Sequence, residues 1–342
     1  MVLFSVHSFP AKGTRSLCWR GDELVDWVRG GMSFSLDGTA HPASVSYAYR
    51  FDAATASPDG RFEVIYERLG TKGLLLDNGT VVRELNRSHY CANAYEYPVA
   101  LFNDPDGRLM LAHCPEEYCR IELEEAITGR ALTASIARRP SDFFHSRLAS
   151  SPNGKRLLSA GWFWHPWSSI VHFSIEQALN EPTRLDSGAS VLPQSGYEEG
   201  SACWLDDDRI VVGGTTGDEN LHDESVGEAA SNLSPRGVAV YDLVKGLCVG
   251  AFQLDEPPGT MLALGQDHVL SLYRHPKIID LQACKVVHVW DHLDSGLQDS
   301  SIVWGLKTTG TPPPMAFDLA KKRFAIASDD AVTVIQFSGS DA

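Results

Sequence analysis

The turn SPDGR at residues 57–61 recurs as DPDGR at 104–108 and as SPNGK at 151–155. The prolines of the three turns are separated by two equal intervals of 47 residues. Proline fixes φ at the first corner of a β-turn, and glycine accepts the positive φ that ends it. The repeat therefore predicts the same β-turn at the same place in three consecutive structural units.

Each turn lies between two strand-like runs, and a further pair of strands with its own turn follows, as in LLLDNGTVVREL and CRIELEEAITGRAL. Weaker copies of the first turn occur as WRGDE at 19–23, LDDDR at 205–209, LGQDH at 264–268 and LAKKR at 319–323. Four short strands per unit with regularly spaced turns are typical of β-propeller blades. Helical periodicity is almost absent, and IEQALNE at 175–181 is the only short helix we expect.

The sequence therefore predicts an all-β fold, a seven-bladed β-propeller that forms a single domain over residues 1–342. The predicted blades are 10–45, 46–92, 93–139, 140–190, 191–255, 256–295, and 296–342 together with 2–9. The last unit supplies about three strands, and VLFSVHSF at 2–9 precedes the first complete unit. An open ring would expose strand edges, so we expect this N-terminal strand to pair with VTVIQF at 332–337 and close the last blade.

The fragment VAVYDLVKGLCVGAF at 238–252 resembles the third and fourth strands of a WD40 repeat. Tyr241 and Asp242 stand where that family has its tryptophan and aspartate, and SPDGR resembles its turn between the first and second strands. The chain is thus similar to divergent WD40-like (YVTN/WD-repeat-like) propellers over nearly its whole length. The family's Gly-His dipeptide is missing from every unit, so its Asp-His-Ser/Thr-Trp network is not carried over. The resemblance implies a scaffold that binds other proteins.

Composition narrows the possible partners of the chain. Hydrophobic residues make up 43% of the 342 residues, and the formal net charge is −15. This charge disfavours nucleic acid and anionic membrane surfaces as partners. No run reaches the length of a membrane span, and the N-terminus has no basic signal region. We expect a monomeric cytoplasmic protein with no cofactor.

The seven cysteines are scattered and include no CxxC pair, so we expect reduced, mostly buried thiols. The run HCPEEYC at 113–119 could attract a metal, but its spacing is not that of a zinc knuckle. The sequence therefore predicts no metal site.

In a propeller of this type, one face carries the loops between second and third strands and the loops between blades, and the other face carries the SPDG turns. Nearly all long or aromatic segments belong to the first face, including AGWFWHPWSS at 160–169. Loops gathered on one rim indicate a functional face. Trp162 and Trp164 share strand parity, so we expect them to pack between blades, while the chain turns over the face after them. The candidate binding residues are Tyr97, Phe143, Phe144, His145, His165, Trp167, Tyr197, Glu199 and Trp304, with Tyr49 as a further candidate.

The leading functional prediction is a non-catalytic scaffold that binds a protein or peptide through this aromatic face. The alternative is a hydrolase or lyase with its site at the mouth of the central channel. For that alternative, the group to test is Glu198, Glu199, His145 and His113, with Glu199 as the candidate base and His145 as its partner or as a metal ligand. The sequence contains no GxSxG, HExxH, GxGxxG or P-loop motif, and we assign no catalytic residue.

Overall fold

The chain folds into a ring of small antiparallel sheets. A computed structural model describes residues 2–43, 45–134, 137–164, 166–190, 196–217, 233–303 and 311–338. These residues form seven sheets, six of four strands and one of five. The prediction of an all-β seven-bladed propeller is therefore confirmed.

The first three blades follow the N-terminal strand β1 (Leu3–Pro10). Their strands are β2 (Cys18–Arg20), β3 (Glu23–Asp26), β4 (Met32–Ser35) and β5 (Ala40–His41) in blade 1, β6 (Ala53–Ala56), β7 (Phe62–Tyr66), β8 (Lys72–Asp77) and β9 (Thr80–Asn86) in blade 2, and β10 (Val99–Asn103), β11 (Leu109–His113), β12 (Glu122–Glu125) and β13 (Arg130–Ala131) in blade 3.

Blade 4 has the additional strand and the short helix. It consists of β14 (Phe143–Phe144), β15 (Leu148–Ser150), β16 (Arg156–Phe163), β17 (Trp167–Ser174), α1 (Ile175–Asn180), a 3-10 turn (Pro182–Leu185) and β18 (Ala189–Ser190). The remaining strands are β19 (Glu199–Trp204), β20 (Arg209–Gly214), β21 (Gly237–Asp242) and β22 (Leu247–Gln253) in blade 5, β23 (Met261–Ala263), β24 (His268–Ser271), β25 (Lys277–Asp280) and β26 (Lys285–Val289) in blade 6, and β27 (Met315–Asp318), β28 (Arg323–Ala327) and β29 (Ala331–Ser338) in blade 7.

The SPDG-type turns connect the first two strands of their blades, as the repeat predicts. In the first copy the Gly60 N–H donates to the Ser57 carbonyl at 2.8 Å, and in the third the Gly154 N–H donates to the Ser151 carbonyl at 2.9 Å. The glycine φ angles are 71° at Gly60 and 67° at Gly154, in the left-handed region that glycine tolerates best. We call the surface made by these turns the turn face, and the opposite surface the loop face.

The hydrophobic core lies between the blades. In the described residues, seven clusters of buried apolar side chains each join one blade to the next. The cluster between blades 4 and 5, for example, includes Leu158 and Ile170 from one blade and Ile210 and Val212 from the other. Stability therefore depends on every blade having two neighbours, including the first and the last.

The N-terminal strand closes the ring. β1 pairs antiparallel with β29 along its full length, from Leu3 opposite Ser338 to Pro10 opposite Ala331. β1 is therefore the outer strand of blade 7, which also contains β27 and β28. This confirms the predicted closure, since the two ends of the chain complete one sheet.

A segment between blades 6 and 7, which we call the strap (residues 296–303), lies at the loop-face end of the propeller and contacts several blades. At its start the Arg274 N–H of blade 6 donates to the Gly296 carbonyl at 2.6 Å. At its end the Val303 N–H donates to the carbonyl of Ala94, which precedes blade 3, at 2.9 Å. Between these two ends the strap also contacts Thr216 after β20 and Arg147 of blade 4, so it links the loop-face ends of blades 6, 5, 4 and 3. Within the described residues, no helix is long and apolar enough to span a membrane.

Candidate functional site

A column of stacked aromatic rings runs through the loop face between blades 3 and 4. The Phe144 ring lies 3.9 Å from the Trp162 ring, centroid to centroid, with 8° between their planes. On its other side the Phe144 ring lies 4.1 Å from the Tyr118 ring, at 20°. Phe144 and Trp162 are fully buried, so the column forms a rigid base.

Strand pairing and loop contacts position the three rings. Phe144 of β14 pairs directly with Trp162 of β16, which places both rings on one side of the sheet. Tyr118 comes from the loop between β11 and β12, where its carbonyl accepts the His145 N–H at 3.4 Å. Its hydroxyl donates to Asp142 Oδ1 at 2.6 Å. Residues from two blades and the connection between them therefore build one column.

Two further rings lie on the solvent side of this column. Tyr90 is 49% exposed and Trp164 is 44% exposed. The Tyr90 centroid lies 5.1 Å from that of Tyr118, and the Trp164 centroid lies 6.0 Å from that of Phe144. Tyr90 and Trp164 are 6.2 Å apart and nearly parallel, at 27°. We call Tyr90, Tyr118 and Trp164 the aromatic surface.

In the WFWHPW run, the expectation for Trp164 is wrong. We expected Trp162 and Trp164 both to pack between blades, and Trp162 is indeed buried. Trp164 is instead exposed, because β16 ends at Phe163 and strand alternation does not continue into the following turn. Tyr90 and Tyr118 were not among the predicted residues. Both tyrosines lie in aromatic loops of the sequence, at 86–98 and 113–118. The sequence does not show that these two loops meet in the folded ring, so it gave no reason to choose these two residues.

Most of the predicted binding residues lie beneath the surface. The buried ones are Tyr97, Phe143, Phe144, His145 and Glu199. Trp167 and Tyr197 are half-buried, Tyr49 is exposed, and His165 and Trp304 lie outside the described residues. Phe144 supports the aromatic surface from below, and the Tyr97 ring packs 5.5 Å from that of Tyr66.

The two residues considered for catalysis have partners within the blades. The Ile170 N–H of blade 4 donates to Glu199 Oε2 of blade 5 at 2.7 Å, which ties the two blades together. His145 Nδ1 lies 3.1 Å from the Ser159 hydroxyl oxygen. Burial lowers the pKa of His145 to about 3, so its ring is neutral at physiological pH.

Glu198 and His113, which were considered with them, also have partners within the blades. Glu198 Oε1 accepts the Ser168 N–H at 2.9 Å, and burial raises the pKa of Glu198. His113 Nε2 lies 3.1 Å from Glu124 Oε1 inside blade 3. Among the residues that the structure describes, no group of three His, Cys, Asp or Glu is arranged to hold a metal ion. The hydrolase or lyase alternative gains no support from these contacts.

Comparison with known proteins gives the fold its name. No family model and no curated protein matches the sequence. A chain in the crystal structure of the mitotic checkpoint complex superposes with a TM-score of 0.57 and 11% sequence identity, over 97% of this chain and 90% of that one. This protein has a WD40-like propeller fold. At this identity the likeness concerns the fold alone.

In this WD40-like propeller, a buried arginine anchors the loop that carries Tyr90. The Arg87 guanidinium donates to the carbonyls of Gly70 at 2.7 Å, Ala92 at 2.6 Å and Tyr95 at 3.1 Å. It also lies 4.5 Å from the centre of the Tyr95 ring. Because its start is fixed in this way, the loop holds the exposed Tyr90 ring at little further cost in conformational entropy.

Proposed function

We propose that the protein is a non-catalytic scaffold that binds a protein or peptide partner through the aromatic surface of its loop face. The observation that carries the proposal is the exposure of Tyr90 and Trp164 above a buried aromatic column. Rings held rigidly at a surface provide large contact area at a low entropic cost, and tyrosine and tryptophan are enriched among residues that dominate binding energy.

Two further observations support a macromolecular partner. Tyr90, Tyr118 and Trp164 come from three separate loops, so they form a broad surface rather than an enclosed pocket. The similar solved chain belongs to the mitotic checkpoint complex and thus functions among other proteins. A surface of this kind suits the central part of a protein interface, with a polar rim around it.

Affinity capture with matched variants tests this proposal. The wild-type protein, the Tyr90→Ala/Trp164→Ala double variant and a Val244→Ala control would be used to capture proteins from an extract of the source cells. Val244 is the control because it is 68% exposed and lies in the turn between β21 and β22, away from the loop face. We expect at least one specific partner to be retained by the wild type and by Val244→Ala and to be lost with the double variant. Equal recovery of every partner by all three proteins would refute the proposal.

A further inference from the structure

A chamber lies in the central channel directly beneath the strap. Its volume is about 420 Å³, within the range of small-molecule sites in proteins. The walls are mainly apolar and come from the inner strands of several blades, including Leu148, Trp204, Met261, Leu262 and Phe317. Such walls favour an apolar group on any molecule that enters.

Charged groups are concentrated at the strap end of the chamber. Arg68, Arg147 and Glu96 all line it. Arg147 Nη2 donates to the carbonyl of Ser300 in the strap at 2.7 Å and lies 3.4 Å from Glu96 Oε1. Burial opposes ionisation of Glu96, but the Arg147 and Arg68 guanidinium groups together hold its pKa below the usual range. One carboxylate therefore faces two permanent cations, which leaves a net positive charge.

Some donor groups at this end are not used within the described part of the protein. Among the residues that the structure describes, Arg147 Nη1 and the Ser295 hydroxyl have no hydrogen-bond partner, although both atoms are buried and both residues line the chamber. Leaving a buried donor without a partner costs about 1–3 kcal/mol. Arg147 also has a φ of 42°, a conformation unfavourable for a residue other than glycine. Arg147 therefore combines an unfavourable backbone conformation with an unused donor, and both are features of a binding residue.

The chamber connects with the turn face. A second cavity of about 820 Å³ opens among the SPDG-type turns, where it is lined by Ser57 and Ser151. Trp204 and Phe317 line both cavities, so the two cavities adjoin. This second cavity offers a route to the chamber from the turn face, away from the aromatic surface.

We propose that the chamber binds a small organic anion, specifically a carboxylate on an apolar body. Arg68, Arg147 and Ser295 provide donors for the carboxylate, and guanidinium groups recognise carboxylates with well-defined geometry. The apolar walls accommodate the remainder of the molecule. A purely hydrophilic anion such as phosphate would leave these walls in contact with water. The site is independent of the proposed partner surface, since no residue is shared between them.

Isothermal titration calorimetry with octanoate as the probe tests this site. Octanamide is the neutral control of the same shape, and inorganic phosphate is the hydrophilic control. We expect octanoate to bind, octanamide to bind at least tenfold more weakly, and phosphate to give no heat of binding at millimolar concentration. No octanoate binding at millimolar concentration, or equal affinities for octanoate and octanamide, would overturn the inference.

Three variants locate the binding. Arg147→Gln and Arg68→Gln should each weaken octanoate binding about tenfold, whereas Arg61→Gln should leave it unchanged, because Arg61 pairs with Asp77 at the surface. Arg68→Gln keeps the bond between Arg147 and the strap, so its effect does not depend on strap unfolding. Melting curves of each variant establish that it is folded. Unchanged octanoate affinity in both chamber variants would contradict the assignment.

Discussion

The Phe9 side chain of the closing strand β1 packs between blade 7 and blade 1. It is 4% exposed, while most of the other residues of β1 face solvent. Its ring lies 5.9 Å from that of Phe34 in blade 1, and its cluster also includes Val332 and Val334 of blade 7. We predict that Phe9→Ala weakens the closure of the ring and lowers the stability of the whole protein.

The size of the effect follows from this burial. Replacing a buried phenylalanine by alanine costs about 3–5 kcal/mol, since transfer free energy is lost and a cavity is left. Leu3→Ala is the matched control in the same strand, because Leu3 is 61% exposed. Its change in free energy of unfolding should be below about 0.5 kcal/mol.

Urea unfolding followed by tryptophan fluorescence measures both variants. With an m-value of about 3 kcal/mol per molar, a loss of about 3 kcal/mol moves the midpoint of Phe9→Ala down by about 1 M. The midpoint of Leu3→Ala should stay close to that of the wild type. If the two variants had the same midpoint, the N-terminal strand would not hold the ring closed as described.

Three further predictions concern the ring and its core. Deletion of residues 2–9 removes the outer strand of blade 7, so the truncated chain should aggregate or lose cooperative melting in calorimetry; an unchanged melting curve would contradict the closure. Gly154→Ala should destabilise the protein by several kcal/mol more than Gly107→Ala in chemical denaturation, because both glycines have positive φ but only at Gly154 would a Cβ overlap the Asn103 carbonyl oxygen; equal losses would refute this. Burial raises the pKa of Glu63 to about 8, so its contribution to stability is complete below pH 4.5 and is lost as pH rises towards 8. The advantage of Glu63→Gln over the wild type should therefore grow by at least about 1 kcal/mol between pH 5 and pH 8 in urea titrations, and a constant difference would count against it.

The sequence was sufficient to predict the fold because the repeat expresses local chemistry. The proline and glycine of SPDGR specify a turn without reference to the rest of the chain, and their spacing defines the blade. The N-terminal strand was predictable for a topological reason, since a ring with an incomplete blade 7 leaves an unpaired edge. Both features follow from residues that are neighbours in the sequence or from the number of strands available to each blade.

The candidate site was less predictable because it depends on contacts between distant segments. Phe144 was chosen for its aromatic character, but its burial follows from Tyr118 and Trp162, which stack on its two faces. Strand alternation correctly predicted that Trp162 is buried. It does not apply to Trp164, which lies one residue beyond the end of β16 and is exposed. The charged end of the chamber depends on contacts between the strap and distant blades, which no local pattern in residues 291–314 encodes.

The most direct test of the central claim is the dissociation constant of the captured partner, measured by calorimetry with purified proteins. The rings of the aromatic surface should contribute at least about 2 kcal/mol, as interface residues of this type do. Tyr90→Ala/Trp164→Ala should therefore raise the dissociation constant by about 30-fold or more, while Val244→Ala leaves it within about twofold. An equal affinity for the double variant and the wild type would contradict the claim that this surface binds the partner.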